Sequence, residues 1–261
     1  MNNTIETIIN DYIEHATQKN NIDAIVLAGS QTSLINDNMS DYDIYVYSKE
    51  KVNIEMREKF AKKYSVNYEI ENNYFEHGDE IILKENNICL DFMYRDISFI
   101  ENEINYVWRN YNSKIGYTTA FLYNIKNSKI LYESNDSFRN FQKELNKDYP
   151  KKLKDNIIEK NYNVMYAKKS ASFYEQLENA VKRKDIVSIN HRITAILASY
   201  FDILFAINEE LHVGEKKLIS YAKKLCRKLP DNFDKDIEDI INNNNILEKI
   251  KNLIGNIKKF F

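Results

Sequence analysis

The apolar pattern of the chain changes character near residue 145. Before this point, short apolar runs and alternating segments predict strands between helices, whereas after it apolar residues repeat only at helical spacing. Charged residues and Pro150 cluster in Lys143–Lys152, where one domain is expected to give way to the next. The pattern predicts a mixed α and β domain over residues 1–144 and an all-helical domain over 145–261.

The first domain is expected to contain two helices and six strands. Apolar residues at helical spacing predict one helix that reaches about Ala16 and ends in Lys19–Asn21, and a second helix over 54–64. Gln31–Ser40 is predicted as a polar loop. The predicted strands are 22–28, 41–47, 66–70, 81–84, 88–94 and 130–132.

The second domain is expected to pack around one central helix. The segment from Ile186 to Ile207 is apolar on nearly all sides, which is typical of a buried helix. Another helical stripe runs from Ile158 to Val181. The run Asn242–Asn245 is predicted to interrupt the last helices as a short loop.

Composition limits the classes of protein that the chain can represent. Lys plus Arg number 37 and Asp plus Glu number 39, so the net charge is -2 and the pI is about 6.2. An extended phosphate-binding surface would be strongly basic, so nucleic acid is not the expected partner. There is no apolar stretch near the ~20 residues that span a bilayer, and no signal-peptide pattern. Cys89 and Cys226 suggest neither a disulfide framework nor a metal knuckle, which favours a reducing compartment. Together these features lead us to expect a cytoplasmic protein without membrane attachment.

One stretch carries a chemical pattern. Gly29 and Ser30 close a predicted strand, and a glycine there lets the main chain approach a phosphate while N–H groups and the Ser hydroxyl hold its oxygens. Asp41 and Asp43 lie two apart on the next predicted strand, so both carboxylates point to one face. Paired carboxylates can bind divalent ions that clamp the two reacting oxygens of a phosphoryl transfer. Asp-x-Asp and Gly-Ser are each common alone, and their combination is the informative feature.

This combination resembles the Gly-Ser…Asp-x-Asp signature of the nucleotidyltransferase superfamily, which includes aminoglycoside and lincosamide nucleotidyltransferases and polymerase-β-type enzymes. The resemblance implies a mixed sheet flanked by helices, with a helical domain appended. It also implies that Gly29 and Ser30 contact nucleotide phosphates and that Asp41 and Asp43 bind metal.

Superfamily members usually carry a third carboxylate on a neighbouring strand, and Asp91 is the candidate here. An acid on an otherwise apolar strand needs a reason, because an unpaired buried carboxylate is costly. Asp91 is either a third metal ligand and general base, or a strand-end acid that pairs with Arg95 or a backbone amide. Asp96, just past the strand, is the fallback.

A later segment is similar to an uncharacterised bacterial group of nucleotidyltransferase-like proteins. That group reads D-x-L-F-A-x-N…H-P-G-E-K, and this chain has Asp202 to Asn208 followed by His212 to Lys217, with Val213 in place of the proline. Lys216 or Lys217 could reach a triphosphate or pyrophosphate, or both could be solvated on a helix surface. Asp202 lies on the most apolar helix, where it either binds a cationic substrate amine or pairs with Arg192.

These observations lead to one expected activity and two alternatives. The chain is expected to be a nucleotidyltransferase that uses two Mg²⁺ ions held by Asp41, Asp43 and Asp91, with Asp91 as the base. It would transfer a nucleoside monophosphate from an NTP, expected to be ATP, to a hydroxyl of a small acceptor such as an aminoglycoside- or lincosamide-like molecule. The alternatives are modification of a protein or RNA partner, as in antitoxin-type relatives, and a catalytically silent nucleotide-binding relative. A homodimer is left open.

Overall fold

A computed structural model describes residues 3–19, 21–32, 35, 41–74, 76–167, 171–242 and 245–261. The predicted loop Gln31–Ser40 lies largely outside these residues, as do parts of the predicted breaks at Lys19–Asn21 and Asn242–Asn245. Within the described ranges, none of the helices combines the length and the hydropathy that crossing a bilayer requires.

Helices and strands alternate in the first half of the chain, and helices fill the second half. The helices are α1 (Asn3–Lys19), α2 (Ile54–Tyr64), α3 (Ser98–Glu103), α4 (Ala120–Asn127), α5 (Ser137–Leu145), α6 (Lys151–Tyr166), α7 (Phe173–Arg183), α8 (Ile186–Ile207), α9 (Leu218–Leu225), α10 (Phe233–Ile241) and α11 (Ile246–Ile257). The strands are β1 (Ile22–Leu27), β2 (Tyr42–Ser48), β3 (Ser65–Asn72), β4 (Gly78–Leu83), β5 (Cys89–Arg95) and β6 (Lys129–Glu133). Gly29–Thr32 and Lys258–Phe260 form short 3₁₀ helices, and Ile104–Arg109 forms a π-helix.

The six strands form one mixed sheet in the order β3-β4-β5-β2-β1-β6. β2 and β5 are parallel, and the other neighbouring strands are antiparallel. This sheet, flanked by helices and followed by further helices, confirms the predicted fold class. β4 begins at Gly78, three residues before the predicted start. Only glycine fits at this position, because a Cβ there would lie 2.6 Å from the carbonyl oxygen of Phe92.

One face of the sheet packs on α1 and α2 and forms a core. Alternation along β2 places Ile44 and Val46 on this face, both fully buried. Tyr12 of α1 contacts Phe60 of α2 and Phe92 of β5, with ring centroids 5.1 Å and 4.4 Å apart. Ile44 and Val46 of β2 and Leu90 and Phe92 of β5 therefore belong to the core, and the alternate residues, among them Asp43, Tyr45, Asp91 and Met93, face the opposite side of the sheet.

The chain separates into two compact units by its contacts. The first unit contains Met1–Ile104 and Asn124–Lys147, and the second contains Asn105–Tyr123 and Asp148–Phe261. The predicted division into domains 1–144 and 145–261 stays a prediction. In the second unit, α8 is fully buried from Ser199 to Ile207, as its apolar surface on all sides predicts, whereas Ile186 and Val187 at its beginning are exposed.

Candidate active site

The main chain at Gly29 lies directly against the carboxylate of Asp43. Gly29 has a φ of 62°, a conformation that side chains other than glycine rarely adopt. A Cβ at this position would lie 1.7 Å from Oδ2 of Asp43. The N–H of Ala28 donates to the carbonyl oxygen of Asp43 at 2.9 Å, which fixes the two segments side by side. Gly29 is therefore required twice, by its backbone conformation and by the space that Asp43 occupies.

Asp43 and Asp91 are direct neighbours across parallel strands. The register of β2 and β5 pairs Asp43 with Asp91, so both side chains leave the same face of the sheet. That face is the one opposite the α1 and α2 core, since the adjacent Ile44 and Phe92 are fully buried in the core. Both carboxylates are half-buried. The fold thus brings together two acids that lie far apart in the sequence.

The environment of Asp91 favours its protonated form. Burial, followed by the charges of Asp43, Glu80, Glu76 and Asp41, raises the pKa of Asp91 from 3.8 to about 6. Arg95, the alternative partner of Asp91, forms an ion pair with Glu76 instead. Its guanidinium donates two hydrogen bonds to the Glu76 carboxylate, at 2.7 Å and 2.5 Å.

The fallback residue, Asp96, has a local structural role. Its Oδ1 accepts a hydrogen bond from the backbone N–H of Ser98 at 2.7 Å, beside the first turn of α3. This hydrogen bond lowers the pKa of Asp96, whose side chain is exposed. Asp96 therefore stays ionised, and Asp91 is the acid that lies next to Asp43.

Asp41 lies at the margin of this face and Glu80 lies within it. Asp41 is exposed and immediately precedes β2. Glu80 of β4 pairs with Asp91 from the other side, and Glu69 of β3 pairs with Glu80, which extends the row of acids. Sequence reasoning missed Glu80 because β4 was predicted to begin only at residue 81. Among the described residues, there is no group of three or more His, Cys, Asp or Glu side chains arranged to hold a metal ion.

The two candidate lysines belong to the second unit. Lys216 and Lys217 are exposed in the segment before α9, and Lys217 has a φ of 57° at the start of that helix. Upstream, the N–H of His212 donates to Oγ1 of Thr119 at 2.8 Å, and Nδ1 of His212 accepts from the N–H of Gly214 at 3.1 Å. The segment that carries the lysines is thus fixed at its beginning, and the contact of Lys216 or Lys217 with phosphate stays a prediction.

Asp202 is buried and fully engaged within the second unit. Its side chain is 1% exposed, and its oxygens accept from the N–H of Thr118 at 2.9 Å, the hydroxyl of Thr118 at 2.6 Å and Nδ2 of Asn161 at 3.0 Å. The expected pairing with Arg192 is wrong, because neutral donors fill these positions. Burial raises the pKa of Asp202 to about 7. This arrangement gives Asp202 a structural role within the second unit, because its oxygens are buried and already bonded.

A buried charge network that the sequence did not reveal supports the first unit. Arg57 of α2 is fully buried and donates to Oδ1 of Asp79 at 3.1 Å and to Glu71. The hydroxyl of Tyr94 donates to Oδ2 of Asp79 at 2.7 Å, and the Arg57 guanidinium lies 4.4 Å from the centre of the Tyr94 ring. The network ties α2 to β3, β4 and β5. No sequence signal distinguishes these residues from ordinary exposed charges.

Comparison with known proteins gives a partial family match and two similar solved structures. A family described as "Domain of unknown function (DUF4037)" matches residues 116–217. There is no match among the curated proteins. A nucleotidyltransferase-like protein from Exiguobacterium sibiricum 255-15 is 10% identical, with coverage of 98% of this chain and 74% of that chain and a TM-score of 0.46. Spectinomycin adenyltransferase from Enterococcus faecialis, solved with ATP and spectinomycin, is 14% identical, with coverage of 98% and 100% and a TM-score of 0.30.

Both structural neighbours carry names from the nucleotidyltransferase superfamily, whose motif the sequence resembles. With TM-scores below 0.5, neither likeness bears on the activity of this chain. The case for an activity comes from the arrangement of Gly29, Asp43 and Asp91.

Proposed function

We propose that the chain is a nucleotidyltransferase that moves a nucleoside monophosphate from an NTP, ATP in the simplest case, to a hydroxyl of a small acceptor and releases pyrophosphate. The observation that carries this proposal is the pairing of Asp43 with Asp91 on neighbouring parallel strands, with the main chain of Gly29 against the Asp43 carboxylate. This arrangement matches the roles that the sequence resemblance implies for the same three residues.

The donor set of this face suits Mg²⁺. Two half-buried carboxylates offer only oxygen ligands, and Mg²⁺ usually binds one or two carboxylates together with substrate phosphate oxygens and water. Asp43 and Asp91 would therefore hold the ions jointly with a triphosphate. The exposed Asp41 would add its negative charge, which already acts on Asp91. When bound, two Mg²⁺ ions would stabilise the charge that develops on the attacking and leaving oxygens.

The remaining steps would fall to the residues of the chain itself. Asp91 would accept the proton of the acceptor hydroxyl as the general base. The N–H groups and hydroxyl at Gly29 and Ser30 would hold phosphate oxygens. Lys216 or Lys217 would neutralise the leaving pyrophosphate. Catalysis would then depend on placement and electrostatics.

Two measurements test this function. The first is calorimetric titration of the chain with ATP in the presence and absence of Mg²⁺, and the second is pyrophosphate release when hydroxylated acceptors are added. Asp43→Asn should abolish Mg²⁺-dependent binding and turnover while thermal stability stays equal or rises, because repulsion between neighbouring carboxylates is removed. Glu69→Gln is the matched control, since Glu69 belongs to the same row of acids but lies three strands from Asp43. Normal Mg²⁺-dependent turnover by the Asp43 variant would contradict the proposal.

A further inference from the structure

His212 is a buried histidine to which the proposed reaction assigns no role. It lies in the segment between α8 and α9 and is shielded from solvent. Its ring packs between the rings of Tyr117 and Phe205, whose centroids lie 4.9 Å and 5.1 Å away. An apolar ring would suit these aromatic neighbours as well, so the polar atoms of the imidazole need a reason.

The two ring nitrogens of His212 differ in their contacts. Nδ1 accepts from the N–H of Gly214 at 3.1 Å, so the ring proton lies on Nε2. Nε2 is buried and has no hydrogen-bond partner among the described residues. Burial lowers the pKa of His212 to about 3, so the ring is uncharged at neutral pH and Nδ1 remains an acceptor. Since an unmet buried donor is unfavourable, the feature that favours histidine over phenylalanine here is the acceptor at Nδ1.

Gly214 forms a turn just before the two candidate lysines. Its φ of 99° is a conformation that residues other than glycine rarely adopt, and Lys217, three residues further on, has a φ of 57°. Such conformations persist only where neighbouring contacts enforce them. The hydrogen bond from Gly214 to His212 is one such contact, and the turn that it holds sets the direction of the exposed chain at Lys216 and Lys217.

His212 is itself anchored in the core of the second unit. Its N–H donates to Oγ1 of Thr119 at 2.8 Å. The adjacent Thr118 donates two hydrogen bonds to the carboxylate of Asp202, from its N–H and from its hydroxyl. These four residues are buried, so a chain of contacts runs from α8 through His212 and reaches the surface at the turn of Gly214. The turn is therefore attached to a well-packed part of the fold.

We propose that His212 is a positioning residue for nucleotide binding, because its Nδ1 fixes the turn at Gly214 and thereby holds Lys216 and Lys217 for contact with the triphosphate. The inference rests on the proposed function, which gives the two lysines their ligand. A turn that is fixed before the nucleotide arrives lowers the conformational entropy that the lysine–phosphate contact has to lose. Without the bond to Nδ1, the same lysines would bind phosphate more weakly.

Two substitutions of His212 separate the acceptor from the ring. His212→Phe keeps an aromatic ring between Tyr117 and Phe205 but offers no acceptor to the N–H of Gly214. His212→Asn removes the ring, but its Oδ1 is bonded to Cγ as Nδ1 is, and asparagine readily accepts from the N–H two residues further on. If His212 only fills space, Asn is the more harmful change because it leaves a cavity. If His212 positions the lysines, Phe is the more harmful change for phosphate binding.

Calorimetric titration of the full chain with ATP and with adenosine, both in the presence of Mg²⁺, measures the contribution of the phosphates as the ratio of the two dissociation constants. His212→Phe should reduce the preference for ATP about tenfold, as expected for one charge-assisted contact, while its thermal unfolding stays close to that of the unmodified chain. His212→Asn should keep the preference although its melting temperature falls. The control is His191→Phe at an exposed histidine of α8, which should match the unmodified chain in its preference for ATP.

Replacement of both lysines shows whether His212 acts through them. In a chain with Lys216→Ala and Lys217→Ala, the addition of His212→Phe should leave the ratio unchanged, because the contact that His212 positions is already lost. A further loss in that chain, an unchanged ratio in the Phe variant alone, or a loss in the Asn variant as large as in the Phe variant would overturn this inference and leave the proposed function standing. Equal binding of ATP and adenosine by the unmodified chain would contradict the proposed function, and this inference with it.

Discussion

Asp202 should make the stability of the chain depend on pH in a range where ordinary carboxyl groups stay ionised. Burial raises its pKa from 3.8 to about 7, so between these values the folded chain keeps a proton that the unfolded chain releases. Because the folded state then binds more protons, the free energy of unfolding falls as pH rises through the window. The two pKa values give a loss of about 2 to 3 kcal/mol between pH 5 and pH 8.

Asp202→Asn removes this titration and nearly preserves the shape of the side chain. At low pH the variant should be less stable, because its Nδ2 would face Nδ2 of Asn161, whose Oδ1 is held by the N–H of Gly116. An unmet buried donor costs about 1–3 kcal/mol. At high pH the unmodified chain carries a buried charge that the variant lacks. The stability deficit of the variant should therefore shrink or reverse as pH rises.

Urea denaturation from pH 5 to pH 8 measures this change as the difference in unfolding free energy between the two proteins, so that the titration of other groups cancels. The control is Asp155→Asn, which removes one exposed carboxyl group of α6 and leaves the buried Asp202 in place. A constant difference between the Asp202 variant and the unmodified chain over this range would refute the reasoning.

Three further variants address the site and the core. Gly29→Ala should lose Mg²⁺-dependent ATP binding in a nucleotide titration, because its Cβ would overlap the carboxylate of Asp43. The control is Gly255→Ala on α11, where there is open space for a Cβ. In urea denaturation this control should have an unfolding free energy about 0.5–1 kcal/mol above that of the unmodified chain. Arg57→Met should lower the unfolding free energy by about 3–5 kcal/mol because it leaves a buried acid without its partner, whereas Arg139→Met, at a 53% exposed side chain, should lose at most about 1 kcal/mol. Lys216→Ala should weaken ATP binding more than adenosine binding, and equal losses in parallel titrations would remove this lysine from the site.

Local patterns in the sequence were sufficient for the strands that build the sheet centre. The apolar run at 22–28 and the alternation at 41–47 predict β1 and β2 nearly as observed, because one buried face imposes a period of two. α2 was predicted over 54–64, the range that the structure shows. Gly29 and Asp43 followed from these elements, since both lie at strand ends whose positions are set locally.

Long-range contacts were beyond the reach of these patterns. Asp202 stood out as an acid on an apolar helix, yet its partners, Thr118 and Asn161, come from a loop and another helix that no spacing rule connects to it. The sequence does not distinguish Asp79 from a solvent-facing acid, and only the sheet register directs it toward the buried Arg57. Both cases involve polar groups whose burial depends on tertiary packing.

The position of Asp91 shows how the core determines the chemistry of the opposite face. A slip of one residue between β2 and β5 would turn Asp91 toward α1 and α2 and expose Phe92 in its place. Phe92 is fully buried, and its ring packs against Tyr12 and Phe60, so this slip would forfeit the apolar burial of a large side chain. The packing of Phe92 thus selects the register that places Asp91 beside Asp43. Residues with no chemical role therefore set the geometry on which the proposed activity depends.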